Sequence, residues 1–504
     1  MQIFFVTLRP ISNNTRVKMN FKDQPPLSSA SRMPLGVAAA PVAALILGLI
    51  LIIIFRGADA IADLSPIALL MASLLAMVIT SVRRETTCRG MKVGFTRSAR
   101  QILPAVPMLV CIAMVATTWM MSGVVPTFIV YGLKVLNPTF FLVTACVVCA
   151  LISIFTGSSW STIATIGVAF MGIGEVMGYS DAWIAGAVIS GAYFGDKVSP
   201  LSDTTVVASS AVGVDLFTHM RYLMLTSVPA LLCTLAVYAV KGLLTAAPSG
   251  VAESALIADL QSSFHITPWL FAVPVITLSL IVMRVPTLIT LASSALLGFI
   301  ALLIYQPDLG LKVSEALGCI VSGFGMNTSS ATINELASTG GILGMMPTIF
   351  LVLAAMTFGS VMIGTGMLGV ITHAITSRLK KRTSIVSATV ASGLFMNSCT
   401  ADQYLSLIIT GNMYRNAYRR FGLEPRLLSR TIEDGVSVTS VLIPWNSCGL
   451  TQSMVLGVPT MVYFPFCVFN ILSPCFSILL AWTGWKIPTW KAPALNSEME
   501  ASHT

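Results

Sequence analysis

Four short stretches of this chain gather carboxylates, hydroxyls, amides and prolines in patterns that suit a hard cation or a proton. The richest is Gly195-Asp196-Lys197-Val198-Ser199-Pro200-Leu201-Ser202-Asp203-Thr204-Thr205. Pro200 has no N–H and disfavours helix at Ser199, so backbone carbonyls are freed there. Ser199, Ser202 and Thr204 add hydroxyl oxygens. Hard cations take several oxygen ligands, at least one of them charged. Asp196 and Asp203 are therefore the candidate Na⁺ ligands, and Lys197 the candidate counter-ion when no cation is bound. A second stretch, Asn397-Ser398-Cys399-Thr400-Ala401-Asp402, supplies another acid. The third, Gly157-Ser158-Ser159-Trp160-Ser161-Thr162, and the fourth, Pro444-Trp445-Asn446-Ser447, supply only neutral oxygens. Glu433 and Asp434, just before the fourth, are candidate proton-coupling groups. Plainer readings exist for each acid: a solvated Asp196–Lys197 pair, Asp402 as a helix N-cap, and Glu433-Asp434 as acids at a helix start on the surface.

The elements that must position these residues follow from composition. Of 504 residues, 55% are hydrophobic and 10% charged, with a mean hydropathy of +0.86. A soluble globular protein is about 25% charged, so a soluble enzyme, a nucleic-acid binder and a disordered chain are all disfavoured. The net charge of +9 then reads as Lys and Arg marking cytoplasmic loops of a membrane protein. A carboxylate inside a spanning segment costs roughly 2.5–3.5 kcal/mol on insertion scales, which makes Asp196, Asp203, Asp402 and Asp434, with Glu433 beside the last, functional candidates by default. Cys146 and Cys149 form a C-x-x-C, but inside an apolar run where cysteine acts as a small hydrophobe. Gly191–Lys197 only approximates a phosphate-binding loop, because its spacing is wrong and no Ser or Thr follows the lysine.

Apolar stretches long enough to span a bilayer fall at 35–55, 64–82, 102–122, 139–156, 222–245, 267–284, 286–305, 344–366 and 459–484. Between them, 157–174, 183–214, 383–414 and 430–457 are dense in Gly, Ser, Pro and Asn, and read as re-entrant hairpins or broken helices shielded from lipid. Basic residues cluster in 83–100, 378–382 and 415–430, which places those loops in the cytoplasm; 57–63 and 172–182 carry only acids and go outside. The polar, basic start does not read as a signal peptide, and Met19 offers a second candidate start.

The two halves repeat. Gly191, Pro200 and Gly213-Val214 are spaced as Gly435, Pro444 and Gly457-Val458 are, and Gly157-Ser158-Ser159 corresponds to Asn397-Ser398-Cys399. Acidic 172–182 pairs with basic 415–430, so matching loops lie on opposite sides. This is the pattern of an inverted-topology repeat, in which substrate sits near the midplane at helix interruptions. The expected breaks are 157–162, 195–205, 397–402 and 441–449. The fold class is therefore an all-α polytopic membrane protein with two inverted-topology repeats, re-entrant hairpins and broken transmembrane helices. The divisions are a cytoplasmic tail 1–33, repeats 34–246 and 247–485, and a cytoplasmic tail 486–504. Thr117, Thr118, Trp119 and Ser122 line the cavity or serve close helix packing.

GAYFGDKVSPLSDTT (191–205), ADQYLSLIITGNMYRNAY (401–418), LSRTIEDGVSVTSVLIPWNSCG (428–449) and LGVPT (456–460) resemble the NhaC-type Na⁺/H⁺ antiporters, as does TTWMMSGVVPTFIVYGL (117–133), with Thr117 in place of a glycine. The likeness covers roughly 35–485. It implies Na⁺ exchanged for H⁺ across the bacterial inner membrane, in a larger group of ion transporters with inverted repeats and paired re-entrant hairpins. Similar transporters exchange malate for lactate with Na⁺ and H⁺ coupling, or move amino acids. Cys399 and Cys448 flank the polar tips, and Leu450-Thr451-Gln452, which follows the second, departs from the family's pattern at its end, which bears on the cargo and not on the fold. The resulting expectation is alternating access, with Asp196 and Asp203 taking Na⁺ or H⁺ in turn and Asp402 sharing the proton. Ser158, Ser159, Thr162, Ser199, Ser202, Thr204, Asn397, Ser398, Asn446 and Ser447 would complete the site. No cofactor is expected beyond the transported ions, and no nucleic-acid partner. The partners are the bilayer, Na⁺, H⁺ and a small organic acid or amino acid; the reading leaves room for a homodimer. A channel or a membrane-embedded enzyme is the alternative of another class, and no histidine falls at the four interior breaks to serve the latter.

Overall fold

The apolar runs are helices. A computed structural model describes residues 33–56, 61–83, 105–245, 250–283, 285–328, 334, 337–377, 382–485 and 487–489. The expected tails and the basic segments 83–100 and 378–382 lie almost wholly outside them. Among the described residues, seven helices are long and apolar enough to cross a membrane, or up to ten if each bent pair is one span. They include Leu35–Arg56, Leu64–Arg83, Pro138–Thr156, Leu216–Leu244, Leu288–Tyr305 and Gly341–Gly364. Their outer faces expose large side chains such as Leu47, Leu74, Leu232, Leu296 and Ile304, at 50–62% of full exposure. A water-soluble monomer does not present so continuous an apolar belt, whereas lipid covers it without cost.

Three spans are bent: Leu109–Met121 against Val124–Val135 by 66°, Ile257–Ser263 against Pro268–Ile281 by 87°, and Thr460–Phe466 against Val468–Thr483 by 58°. Gly123 makes the first bend with φ +78°. Gln306 ties two bends together. Its Nε2 donates to the Ser122 carbonyl and the His265 carbonyl, each at 3.1 Å, and its Oε1 accepts from the His265 amide at 3.0 Å.

The central core joins the helices Phe141–Thr156, Asp181–Val198 and Val468–Thr483 through Cys146, Val188, Tyr193 and Phe469. The first two approach closely because Gly191 and Gly195 face the backbone of Cys146 and Ala150, leaving no room for a Cβ. Small residues permit such packing between helices in lipid. Leu64–Arg83 instead packs on Gly341–Gly364, and Leu35–Arg56 packs on Leu64–Arg83 and Met367–Ser377; Leu45, Leu49, Ala72, Leu351, Ala354 and Phe358 fall in one apolar cluster.

Each of the four polar segments contains its break. In 157–174 the break is confined to Gly157-Ser158, after which the chain runs as one helix, Ser159–Val176, eased by a π-turn at Ile163–Gly167. The other breaks fall at Ser199–Ser202, at Ala401–Asp402 and at Ile443–Asn446. A second π-turn, Glu433–Ser437, precedes the last of these.

Candidate functional site

At each break a helix ends, the chain extends for two to four residues, and a new helix starts on a polar cap. Phe141–Thr156 stops at Gly157, whose φ of +67° suits glycine. Ser158 then caps the next helix, accepting from the Ser161 amide at 3.2 Å, while the Thr162 hydroxyl donates to the Ser158 carbonyl at 2.9 Å. Asp181–Val198 stops before Ser199-Pro200. The Ser199 hydroxyl donates to the Ile154 carbonyl at 2.7 Å. A Cβ at Gly157 would meet the backbone of Leu201 at 2.6 Å, so these two breaks touch.

The second pair also touches. Arg382–Thr400 ends at Ala401, the one non-glycine residue with positive φ (+54°) among the described residues. Asp402 caps the next helix by accepting from the Leu405 amide at 2.8 Å, so its plainer reading as an N-cap holds. The Ser447 amide donates to the Ala401 carbonyl at 2.9 Å. Asn446 accepts from the Cys448 amide at 3.1 Å and donates through Nδ2 to the Asn397 carbonyl at 3.1 Å. Asn397 Nδ2 donates to the Val436 carbonyl at 2.8 Å. The Ser398 hydroxyl turns back to the Leu394 carbonyl at 3.0 Å, while its own carbonyl accepts from Trp445 Nε1 at 2.9 Å.

The carboxylates stand where the pairs meet. Asp196, 8% exposed, accepts from the Ser159 hydroxyl at 2.8 Å, with Ser202 and Asp203 beside it. The Ser202 and Thr204 hydroxyls are 2.9 Å apart. Asp203 is exposed and opens the helix Asp203–Val212. Tyr404, on the helix that Asp402 caps, lies within electrostatic reach of Asp196, Asp203 and Asp402. Among the described residues no Lys, Arg or His forms an ion pair with any of these three acids. Asp196 and Asp402 are buried without a basic partner while Asp203 is exposed beside them, and a bound cation or a proton would offset the cost of the two buried charges.

Lys197 does not join them. It points the other way along its helix and pairs with Asp434, both side chains at most 1% exposed. The solvated Asp196–Lys197 pair is therefore not formed, and Glu433-Asp434 are fully buried rather than at a surface. Asp434 Oδ1 also accepts from the Ser473 hydroxyl at 2.6 Å and the Thr226 hydroxyl at 3.2 Å. Lys197 donates to Ser473 at 2.8 Å and sits over the Phe469 ring, 5.8 Å from its centre. Arg430 lies 3.9 Å from Asp434 Oδ2 and stacks 4.6 Å above Tyr222. Glu433 has the Ser437 hydroxyl beside it, too poorly placed for a well-formed hydrogen bond, with Lys197 and Asp196 within electrostatic reach.

Tyr404, Thr226, Ser473 and Arg430 were not among the residues singled out by sequence. Ser473 and Thr226 lie in ordinary apolar helices and carry no local signal. Arg430 was read only as one of a basic run. Tyr404 sits two residues after Asp402, and its side of the helix start was the available clue.

A family model described as the Na⁺/H⁺ antiporter family matches residues 25–211 and 191–485. The chain is 36% identical over 395 residues to a protein named Na(+)/H(+) antiporter NhaC from Alkalihalophilus pseudofirmus, covering 78% of this chain and 83% of that one. It is 32% identical over 420 residues to a Malate-2H(+)/Na(+)-lactate antiporter of Bacillus subtilis, covering 83% and 89%. It is also 32% identical over 460 residues to an Arginine/ornithine antiporter ArcD of Halobacterium salinarum, covering 90% and 93%.

Proposed function

The chain belongs to the Na⁺/H⁺ antiporter family, and as a multi-pass membrane protein of that family we propose that it exchanges Na⁺ for H⁺ across the bacterial inner membrane by alternating access. In this reading the chain is built of two inverted-topology repeats, 34–246 and 247–485, with both termini cytoplasmic. The observation that carries the site is the set of three acids, Asp196, Asp203 and Asp402, around Tyr404 with no basic partner. Asp196 and Asp203 take Na⁺, helped by the Ser159, Ser202 and Thr204 hydroxyls and by carbonyls freed at Ser199–Ser202. Ser158, Thr162, Ser199, Asn397, Ser398, Asn446 and Ser447 hold the tips in place through bonds to neighbouring backbone or caps, with Asn397 Oδ1 left without a partner.

Exchange follows from competition. A carboxylate holding a proton cannot also act as a charged ligand, so Na⁺ and H⁺ occupy the centre in turn. Asp402 shares the proton. Lys197 is the counter-ion of Asp434 and fastens the first half to the second. With Oδ1 already engaged three times, Asp434 serves position, and Glu433, with only Ser437 beside it, remains the proton-coupling candidate of that cluster. An unbalanced charge crossing the membrane adds about 2.3 kcal/mol per 100 mV.

A second reading has one observation in its favour. Four helix N-termini, at Ser159, Asp203, Gln403 and Ser447, gather at the breaks, and such ends bind carboxylates. An organic acid or amino acid would then be exchanged with Na⁺ and H⁺ coupling. Everted membrane vesicles with an acid interior and a pH-sensitive dye separate the two. Proton release on adding NaCl alone establishes Na⁺/H⁺ exchange. A response that needs malate, lactate or an amino-acid mixture moves the protein to the solute branch.

A further inference from the structure

Away from the acids, a cavity of about 420 Å³ opens between the helices Ala105–Met121, Ser159–Val176, Gly341–Gly364 and Ser447–Leu456. That volume is in the range that encloses a small organic molecule, and far more than a bare ion needs. Glu175 and Asp181 line it and are exposed, so they stand at its mouth. Glu175 lies in the last turn of its helix, where the dipole disfavours an anion. Deeper in, Met120, Met171 and Met454 form adaptable apolar walls.

Thr117 also lines the cavity, is 0% exposed, and has no partner for its hydroxyl. Its neighbour Thr118 shows what a satisfied threonine does in this helix, donating to the Met114 carbonyl at 2.8 Å. A buried hydroxyl without a partner costs free energy, and a ligand atom in the cavity would satisfy it.

We infer that this cavity binds a small organic cation, an ammonium or guanidinium held by Glu175 and Asp181, with an apolar body against the methionines and a far hydrogen-bonding group at Thr117. Two acids at the mouth repel an organic anion of the same size. Binding is independent of exchange, because neither the three acids at the breaks nor a gradient takes part.

The test uses the purified full-length protein in a Na⁺-free potassium buffer at neutral pH, with binding read by calorimetry. Three probes of one shape are compared: protonated aminopentanol, pentanediol and hydroxypentanoate. Aminopentanol should bind at least about tenfold more tightly than either of the others. This charge series needs no variant to fold. Glu175→Gln with Asp181→Asn should weaken aminopentanol by about tenfold. Thr117→Val should weaken aminopentanol more than n-pentylammonium, which has no far hydroxyl. A Cβ at Gly344, a lining residue, meets nothing within 4 Å, so Gly344→Leu should fill the space and abolish binding. Asp196→Asn should bind as wild type does, whether or not it still exchanges ions. Equal binding of the three probes, no binding to wild type, unchanged affinity in the double variant, or loss in Asp196→Asn would each overturn the proposal.

Discussion

Asp196 and Lys197 are adjacent on one helix, yet they face two different kinds of charged centre. Asp196 looks toward Ser159, Asp203 and the breaks, where acids gather without a base. Lys197 looks toward Asp434, Ser473 and Thr226, where charge is compensated and Asp434 Oδ1 is saturated with donors. The first centre lacks a positive charge that a cation can bring. The second already has one and joins residues 237 positions apart. Transport requires a centre that is incomplete by itself, and a moving scaffold requires one that is complete.

The largest effect expected from this contrast is at Asp196. Asp196→Asn keeps the shape and removes the charge, so Na⁺-driven H⁺ movement in everted vesicles should fall to background while the protein still assembles. Next comes the compensated centre. Lys197→Met removes the cation bonded to Asp434 and leaves it only the longer Arg430 contact at 3.9 Å, so it should destabilise the protein by up to about 3–5 kcal/mol, seen as a lower melting temperature in detergent. Lys197→Met with Asp434→Asn removes both charges of the pair but leaves Arg430 buried without its carboxylate, and should recover part of that loss; no recovery at all would mean the pair does more than fasten the two segments.

Asp203 is exposed where Asp196 is buried, so Asp203→Asn should raise the KM for Na⁺ by about tenfold rather than abolish exchange. The same centre should show competition. As pH falls, protons displace Na⁺, and KM for Na⁺ should rise by up to about tenfold per pH unit. A KM independent of pH would separate the proton site from the Na⁺ site. The smallest effect belongs to Ala401, held at φ +54°. Ala401→Gly should relieve that strain and stabilise the fold by no more than about 1 kcal/mol, with exchange retained.

Much of the acid-only centre was legible in the sequence, because helix breaks are written in residues that carry their own backbone rules. Pro200 removes a donor, Gly157 accepts positive φ, and Asp402 and Asn446 are ready caps. The break at Ala401 was legible only from the polar run around it, since alanine gives no sign of left-handed backbone. The π-turns at Ile163–Gly167 and Glu433–Ser437 left no such mark. The partner of Lys197 was also hidden: it is fixed by the packing of helices far apart in the chain, and the adjacent Asp196 looked the simpler choice. Arg430 counted as a loop charge for the same reason, although its side chain is buried against Tyr222.

The most direct measurement sets the two centres against each other in one assay. Everted vesicles with an acid interior receive NaCl without any organic solute, for wild type, Asp196→Asn, and the Lys197→Met/Asp434→Asn double variant. The expected result is proton release in wild type and in the double variant, and none in Asp196→Asn. Wild-type exchange by Asp196→Asn, together with a silent but folded double variant, would contradict the assignment and move the exchange site to the Lys197–Asp434 centre.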